Sequence, residues 1–72
     1  MPGTAVAQEL SRTVRAAVRR NGVGDFDGAV VLLADGLEIA ETLPPADRDF
    51  WRSRLLVTLS YATFETRGDD AA

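Results

Sequence analysis

Apolar residues recur at helical spacing in three segments of the chain, which predicts three amphipathic helices. In the first segment every fourth residue is apolar: Val6, Leu10, Val14 and Val18. We predict that this helix spans 5–21 and that the hydroxyl of Thr4 caps its N-terminus. Gly22 follows it, and glycine accepts the left-handed conformation in which many helices end. With Gly22 at that position, Val23 is placed to contact Val18 and close the helix end.

The second segment is the most apolar, and the other two segments are the only material that can cover it. Its apolar residues extend over about half of a helix circumference: Phe26, Ala29, Val30, Leu32, Leu33, Leu37, Ile39, Ala40 and Leu43. We predict a helix over 26–43 with Asp25 or Asp27 as its N-cap. Pro44 and Pro45 stop it, because proline has no N–H to donate and restricts the residue before it.

Gly36 is the one residue that disfavours a helix in this segment, by about 0.5–1 kcal/mol relative to alanine. An alternative is a hairpin with Asp35-Gly36 as its turn. We favour the helix because the apolar face continues through the whole segment and a lone hairpin is marginally stable. A glycine inside a helix also lets a neighbouring helix approach closely.

The third segment predicts a helix over 46–67 that ends at Gly68, followed by a flexible tail over 68–72. It carries two apolar stripes. The first stripe is Trp51, Leu55, Leu59 and Ala62, and the second is Phe50, Val57, Tyr61 and Phe64. Together the three segments predict an all-α fold, with one small domain over 1–72 built from three antiparallel helices.

Composition narrows the classes of protein that fit this fold. The chain has 72 residues without cysteine or histidine, so disulfides, thiolate metal sites and the commonest general base are absent. Its net charge is −3, which argues against nucleic acid as the default partner. No segment has the length and hydropathy of a membrane span, and the first residues do not read as a secretion signal. We therefore expect a cytoplasmic protein.

No residue pattern predicts catalysis, a metal site or cofactor binding. Asp35, Glu38 and Glu41 share one side of the second helix, but without histidine we interpret them as a solvated face. The serines lack a neighbouring base and the sharp turn of a nucleophile. The glycines between the first two helices miss the dinucleotide fingerprint by one residue and follow a helix rather than a strand. We expect no enzyme activity.

The stretch Gly24-Asp25-Phe26-Asp27-Gly28-Ala29 resembles the turn between the two helices of a tetratricopeptide repeat, which reads Gly-Asp-aromatic-x-x-Ala there. By this resemblance, Ala29 is the small residue of the second helix and Leu33 the large apolar residue after it. Gly36 is then the next small position, where neighbouring helices approach closely. Pro44 comes later than in a repeat of about 34 residues, so the chain is more similar to the longer repeats of bacterial regulatory proteins.

An internal echo extends the resemblance to about one and a half repeats. Leu10, Val14 and Ala17 recur 45 residues later as Leu55, Leu59 and Ala62, and Gly24-Asp25 recurs 44 residues later as Gly68-Asp69. The resemblance implies a non-enzymatic protein–protein interaction module. It also implies that the first helices of the repeats line a groove for a peptide.

Arginines form a basic stripe on the first helix: Arg12, Arg15 and Arg19. On the resemblance, these residues and Arg52 are candidate contacts to a protein or peptide partner. An alternative function is a small dimeric regulator whose arginine stripe binds nucleic acid, which would show in binding that weakens steeply with salt. From the residues alone, we favour a solvated basic face over either specific role.

The second stripe of the third helix has no partner within three helices, because the first stripe already faces the rest of the chain. Exposed apolar patches usually mark an interface, and two-fold dimers are the commonest assemblies of identical chains. We therefore predict a homodimer through Phe50, Val57, Tyr61 and Phe64. Cover by another protein is the alternative.

Overall fold

The computed structural model describes the backbone of residues 2–71 and the side chains of residues 5–65. It contains three α-helices: α1 (Pro2–Gly22), α2 (Phe26–Ala40) and α3 (Pro45–Ala71). No strand occurs within residues 2–71, so the predicted all-α fold is confirmed. The hairpin alternative is wrong, because α2 runs through its proposed turn.

Gly24, and not Gly22, takes the left-handed conformation after α1. Gly24 has a φ of +82°, whereas Gly22 is the last residue of the helix. The N–H of Asp25 donates to the carbonyl of Arg20 at 2.8 Å, and the N–H of Gly24 donates to the carbonyl of Asn21 at 3.2 Å. These two bonds form a Schellman motif, which satisfies carbonyl groups that a helix end would otherwise leave unpaired.

The predicted contact between Val18 and Val23 depended on a cap at Gly22, whereas the cap is at Gly24. Both side chains are exposed, at 53% and 79%. With the cap at Gly24, the residues that meet across it are Arg20 and Asp25, and their side chains form an ion pair of 3.2 Å. An ionic contact thus replaces the hydrophobic one that usually accompanies this motif.

Asp25 also begins α2. Its carboxylate Oδ1 accepts a hydrogen bond from the N–H of Gly28 at 3.1 Å, so Asp25 rather than Asp27 is the N-cap. One aspartate therefore joins the C-terminus of α1 to the N-terminus of α2.

The first two helices differ from their predicted bounds by a few residues. α1 begins at Pro2, a residue that suits the first position of a helix, and the side chain of Thr4 lies outside the described part of the chain. α2 ends at Ala40 instead of 43. Pro44 contributes to this end, because it has no N–H to donate to the carbonyl of Ala40.

The third helix is longer than predicted at its C-terminus. It starts at Pro45 and continues through Gly68 to Ala71. The predicted end at 67 is therefore wrong, and the predicted tail over 68–72 is helical as far as Ala71. A glycine permits a helix to end but does not force it, because its cost inside a helix is only about 1 kcal/mol.

α2 packs against both other helices, whereas α1 and α3 contact each other less. The buried core takes one face from each helix: Leu10, Ala17, Ala29, Leu33, Ala40, Leu43, Leu55 and Ala62. The first stripe of α3 belongs to it, with Trp51 and Leu59 packed at its edge. Because four of these core residues are alanine, the helices lie close together and the core holds few large side chains.

Gly36 is buried in α2, between side chains of α1 and α3. A Cβ atom built on it would lie 2.9 Å from Cδ2 of Leu55 and 3.2 Å from Cγ2 of Thr13. This position therefore has no room for a side chain, and the expected close approach is observed. Tight packing offsets the cost of a glycine inside α2.

The two halves of the internal echo have matching burial. Leu10 and Ala17 in α1, and Leu55 and Ala62 in α3, are all fully buried. α1 and α3 thus present equivalent positions to the core. The echo does not extend to the turn, because the second Gly-Asp pair lies within α3.

Candidate functional site

An open groove, which we define as the α1–α3 groove, runs between those two helices. Three adjoining depressions form it, with volumes of about 520, 390 and 320 Å³. The depressions are continuous because each shares lining residues with the next: Val14, Val18, Val57 and Thr58. These shared residues form the floor of the groove, which is mainly apolar.

The groove exists because α1 and α3 contact each other so little. Each helix directs its buried stripe into the core, which leaves the neighbouring apolar residues uncovered. Val18 is 53% exposed, Val57 is 72% exposed and Tyr61 is 53% exposed. Val14 is half-buried at the edge of the core.

Arginines form the walls of the groove. Arg12, Arg15 and Arg19 border it on α1, and Arg54 borders it on α3. No acidic residue of the described part lines any of the three depressions, although the whole chain has a net charge of −3. Among the described side chains, none of these four arginines forms an ion pair. The groove therefore offers positive charge to a ligand.

An aromatic ring holds Arg54 at the α3 wall. Its guanidinium carbon lies 4.7 Å from the ring centroid of Phe50. Phe50 packs edge-to-face against Trp51, with 5.3 Å between the ring centroids. This cation–π contact, worth about 0.5–1 kcal/mol at an exposed site, positions the guanidinium without neutralising its charge.

Asn21 lies at one end of the groove with only 9% of its surface exposed. Its amide oxygen is buried and accepts no hydrogen bond within the described residues. An unpaired buried acceptor costs about 1–3 kcal/mol. The neighbouring lining includes Val18, Val57 and Tyr61, and none of them donates to this oxygen.

The second stripe of α3 is exposed along its length. Phe50 is 52% exposed, Tyr61 is 53% exposed, and Val57 and Phe64 are both 72% exposed. Val57 and Tyr61 belong to this stripe and also line the groove. Apolar surface therefore continues from the groove onto the outer face of α3.

The structure brings together only some of the predicted partner contacts. Arg12, Arg15 and Arg19 lie together on the α1 wall. Arg52 lies apart from them and pairs with Glu41, just after the end of α2. The arginine that α3 contributes to the groove is Arg54, whose one signal in the sequence is its position a helical turn after Phe50.

The sequence did not indicate that Val18 and Asn21 line the groove. Four-residue spacing places Val14 and Val18 on the buried face of α1, but the narrow core leaves Val18 outside it. Asn21 reads as part of the helix end, and nothing in the sequence indicates that its side chain is buried in a groove.

The acidic side of α2 is exposed, as a solvated face would be: Asp35, Glu38 and Glu41. No group of three or more histidine, cysteine or acidic side chains in the described part of the chain could hold a metal ion. As far as the helices are described, none is both long enough and apolar enough to span a membrane.

Comparisons with protein-family models, with curated proteins and with solved structures found no match for this chain. The groove, with its apolar floor and arginine walls, is therefore the feature that indicates function.

Proposed function

We propose that this protein is a non-enzymatic protein–protein interaction module that binds its partner through the α1–α3 groove and the adjoining stripe of α3. The observation that carries the proposal is the exposure of large apolar side chains in one continuous area: Val18, Phe50, Val57, Tyr61 and Phe64. Large apolar patches are uncommon on monomeric proteins and mark sites of interaction. Aromatic residues and arginine, which are concentrated here, are also enriched at the centres of interfaces.

Similarity to a short tetratricopeptide array is part of the same proposal. Two features support it: the close helix approach at Gly36 and the equivalent burial of positions 45 residues apart in α1 and α3. In a longer array the next helix would cover the exposed stripe of α3. We propose that a partner covers the stripe here.

A second copy of the chain is the partner we propose for the outer stripe of α3. Phe50 and Phe64 lie seven residues before and after Val57, about two helical turns on each side. Two antiparallel α3 helices related by a two-fold axis can therefore place Val57 against its own copy. Phe50 then meets Phe64 of the other chain, in a self-complementary contact.

Sedimentation over a range of micromolar concentrations tests the homodimer. We expect a monomer–dimer equilibrium and a melting temperature that rises with concentration, because dimers gain stability by mass action. The variant V57R places two like charges at the two-fold axis and should sediment as a monomer. A wild-type chain that remains monomeric, with a concentration-independent melting temperature, would rule the homodimer out.

Photo-cross-linking tests the interaction function itself. A photoreactive phenylalanine analogue is placed at Val57 and, as a matched control, at Val31, which is 63% exposed on α2. In cells of the native source, we expect position 57 to cross-link to protein and position 31 to remain uncross-linked. Equal cross-linking yields at the two positions would contradict the proposal, because cross-linking at both would then result from random collision.

Nucleic acid is the alternative ligand for the arginine walls. Phosphate contacts require positive charge, and the apolar floor of Val14, Val18 and Val57 contributes nothing to them. The combination of wall and floor therefore favours a protein ligand.

The expected cytoplasmic location stays a prediction.

A further inference from the structure

The α1–α3 groove combines apolar surface with positive charge. Its floor is apolar and open to solvent at Val18 and Val57. Its walls carry four arginines, and no acidic residue of the described part lines it. A ligand that fits must therefore offer apolar side chains along its middle and negative charge along its edges.

The spacing of the wall arginines indicates the shape of that ligand. Arg12, Arg15 and Arg19 are three and four residues apart, so they stand one above another along about two turns of α1. Carboxylates at the same spacing on a second helix would face them in register. An amphipathic helix lying along a groove uses this spacing for its apolar anchors too.

Two other ligands fit the groove less well. Nucleic acid would satisfy the arginines but would leave the apolar floor without a partner. A second copy could offer the acidic outer face of α2, where Val31 is the one exposed large apolar residue among the described side chains. A face with a single apolar anchor cannot fill a floor that extends from Val14 to Val57.

We propose that the α1–α3 groove binds an acidic amphipathic helix of another protein. This proposal rests on the proposed interaction function and adds the chemical class of the ligand, which competes with a second copy of the chain for Val57. The apolar face of the ligand packs on Val14, Val18 and Val57, and its flanking carboxylates pair with the arginines of both walls.

The proposal is tested with three synthetic peptides of about 18 residues, which is about five turns of helix. All three carry leucines along one face, and the positions that flank this face are glutamate in the first, glutamine in the second and lysine in the third. Fluorescence anisotropy of labelled peptide against the intact protein measures affinity at low and at physiological salt. A labelled DNA duplex of mixed sequence serves as a fourth probe.

Matched variants locate the binding. R15Q removes charge from the groove wall, and R52Q removes the same charge from the Glu41 pair outside the groove. V57S removes an apolar contact from the groove floor, and V31S makes the same change at an exposed position of α2. Circular dichroism of each variant shows whether the helices are retained.

We expect the glutamate peptide to bind at least about tenfold more tightly than the glutamine peptide, and the lysine peptide to bind least, since charge complementarity sets this order. R15Q and V57S should each weaken binding by about tenfold, in the range of a central interface residue. R52Q and V31S should leave it within about twofold, as expected of positions outside the contact.

Three results would overturn the inference. Equal affinity for the glutamate and glutamine peptides would remove the acidic requirement while keeping the interaction function. DNA binding that is tighter than glutamate-peptide binding and is lost in R15Q would assign the groove to nucleic acid. No binding by any probe, with self-association that V57S abolishes, would make a second copy the occupant.

Discussion

Replacing Gly36 by alanine tests how closely the three helices approach. The added Cβ would lie 2.9 Å from Cδ2 of Leu55 and 3.2 Å from Cγ2 of Thr13, both closer than van der Waals contact. Leu55 is fully buried, so its methyl group must be accommodated within the core when it moves. Overpacking of this kind costs about 1–3 kcal/mol, and the better helix propensity of alanine returns about 0.5–1 kcal/mol.

The expected net effect of G36A is a destabilisation of about 0.5–2 kcal/mol. For a domain of this size, each kcal/mol lowers the melting temperature by about 4–8 °C. Thermal and urea unfolding, followed by circular dichroism at a helix wavelength, measure the change. The helical signal before unfolding should be unchanged, because the substitution alters packing and not helix formation.

The control is the same substitution at Gly22, the last residue of α1, where a Cβ would meet no atom within 4 Å. G22A should be neutral or stabilising by up to about 1 kcal/mol. In the double variant G36A/L55V, the smaller valine makes room for the new methyl group. The double variant should therefore lose less free energy of unfolding than the two single variants lose in total. If G36A stabilises the protein as much as G22A, the close approach at Gly36 is refuted.

Three further predictions follow from the turn, the buried amide and the groove walls. D25A should destabilise the protein by about 0.5–2 kcal/mol through loss of the N-cap. D25N keeps a good cap and should lose less than about 1 kcal/mol, because the ion pair between Asp25 and Arg20 that it removes is solvent-exposed. Equal losses for the two variants in chemical denaturation would mean that the cap contributes nothing. N21L should stabilise the isolated protein by about 1 kcal/mol, since it removes an unpaired buried acceptor. N21D should destabilise it. An N21L variant that is less stable than the wild type in the same assay would show that Asn21 is paired. Nucleic-acid binding should be weak and should disappear at physiological salt, because the net charge is −3; tight sequence-selective DNA binding at that salt, measured by anisotropy, would contradict this.

The sequence predicted the helices well because the apolar spacing that defines them also forms the core. Each segment contributes one leucine of its apolar spacing to the centre of the core. These leucines are fully buried: Leu10, Leu33 and Leu55. The glycine that ends α1 was harder to identify, because Gly22 and Gly24 both permit the left-handed conformation. The hydrogen bonds of the following turn select Gly24, and they depend on where α2 begins.

The groove was less accessible to sequence analysis than the helices. Spacing shows which residues share a face of one helix, but it does not show how wide the contact between two helices is. Val18 satisfies the buried pattern of α1 and is nevertheless 53% exposed, because α1 and α3 meet over a small area. Arg54 lines the groove, whereas Arg52, two residues earlier in α3, pairs with Glu41.

The exposed groove and the small core have a common origin, and this links partner binding to stability. The alanines in the core bring the helices so close that there is no space inside for Val57 or its neighbours. A chain of 72 residues is already marginal when it folds alone, so a partner that covers the groove should contribute measurably to stability. At a concentration of 100 times its Kd, a single-site ligand adds about 2.7 kcal/mol.

The last prediction separates these two contributions with V57S. Because Val57 is 72% exposed in the unbound chain, the substitution should change the stability of the monomer, measured at concentrations below those at which it dimerises, by less than about 0.5 kcal/mol. It should nevertheless abolish most of the rise in melting temperature that a saturating acidic peptide produces in the wild type. A calorimetric scan with and without peptide measures both quantities on one sample. If V57S destabilises the isolated chain as strongly as a core substitution, then Val57 is buried in solution and the groove is not open.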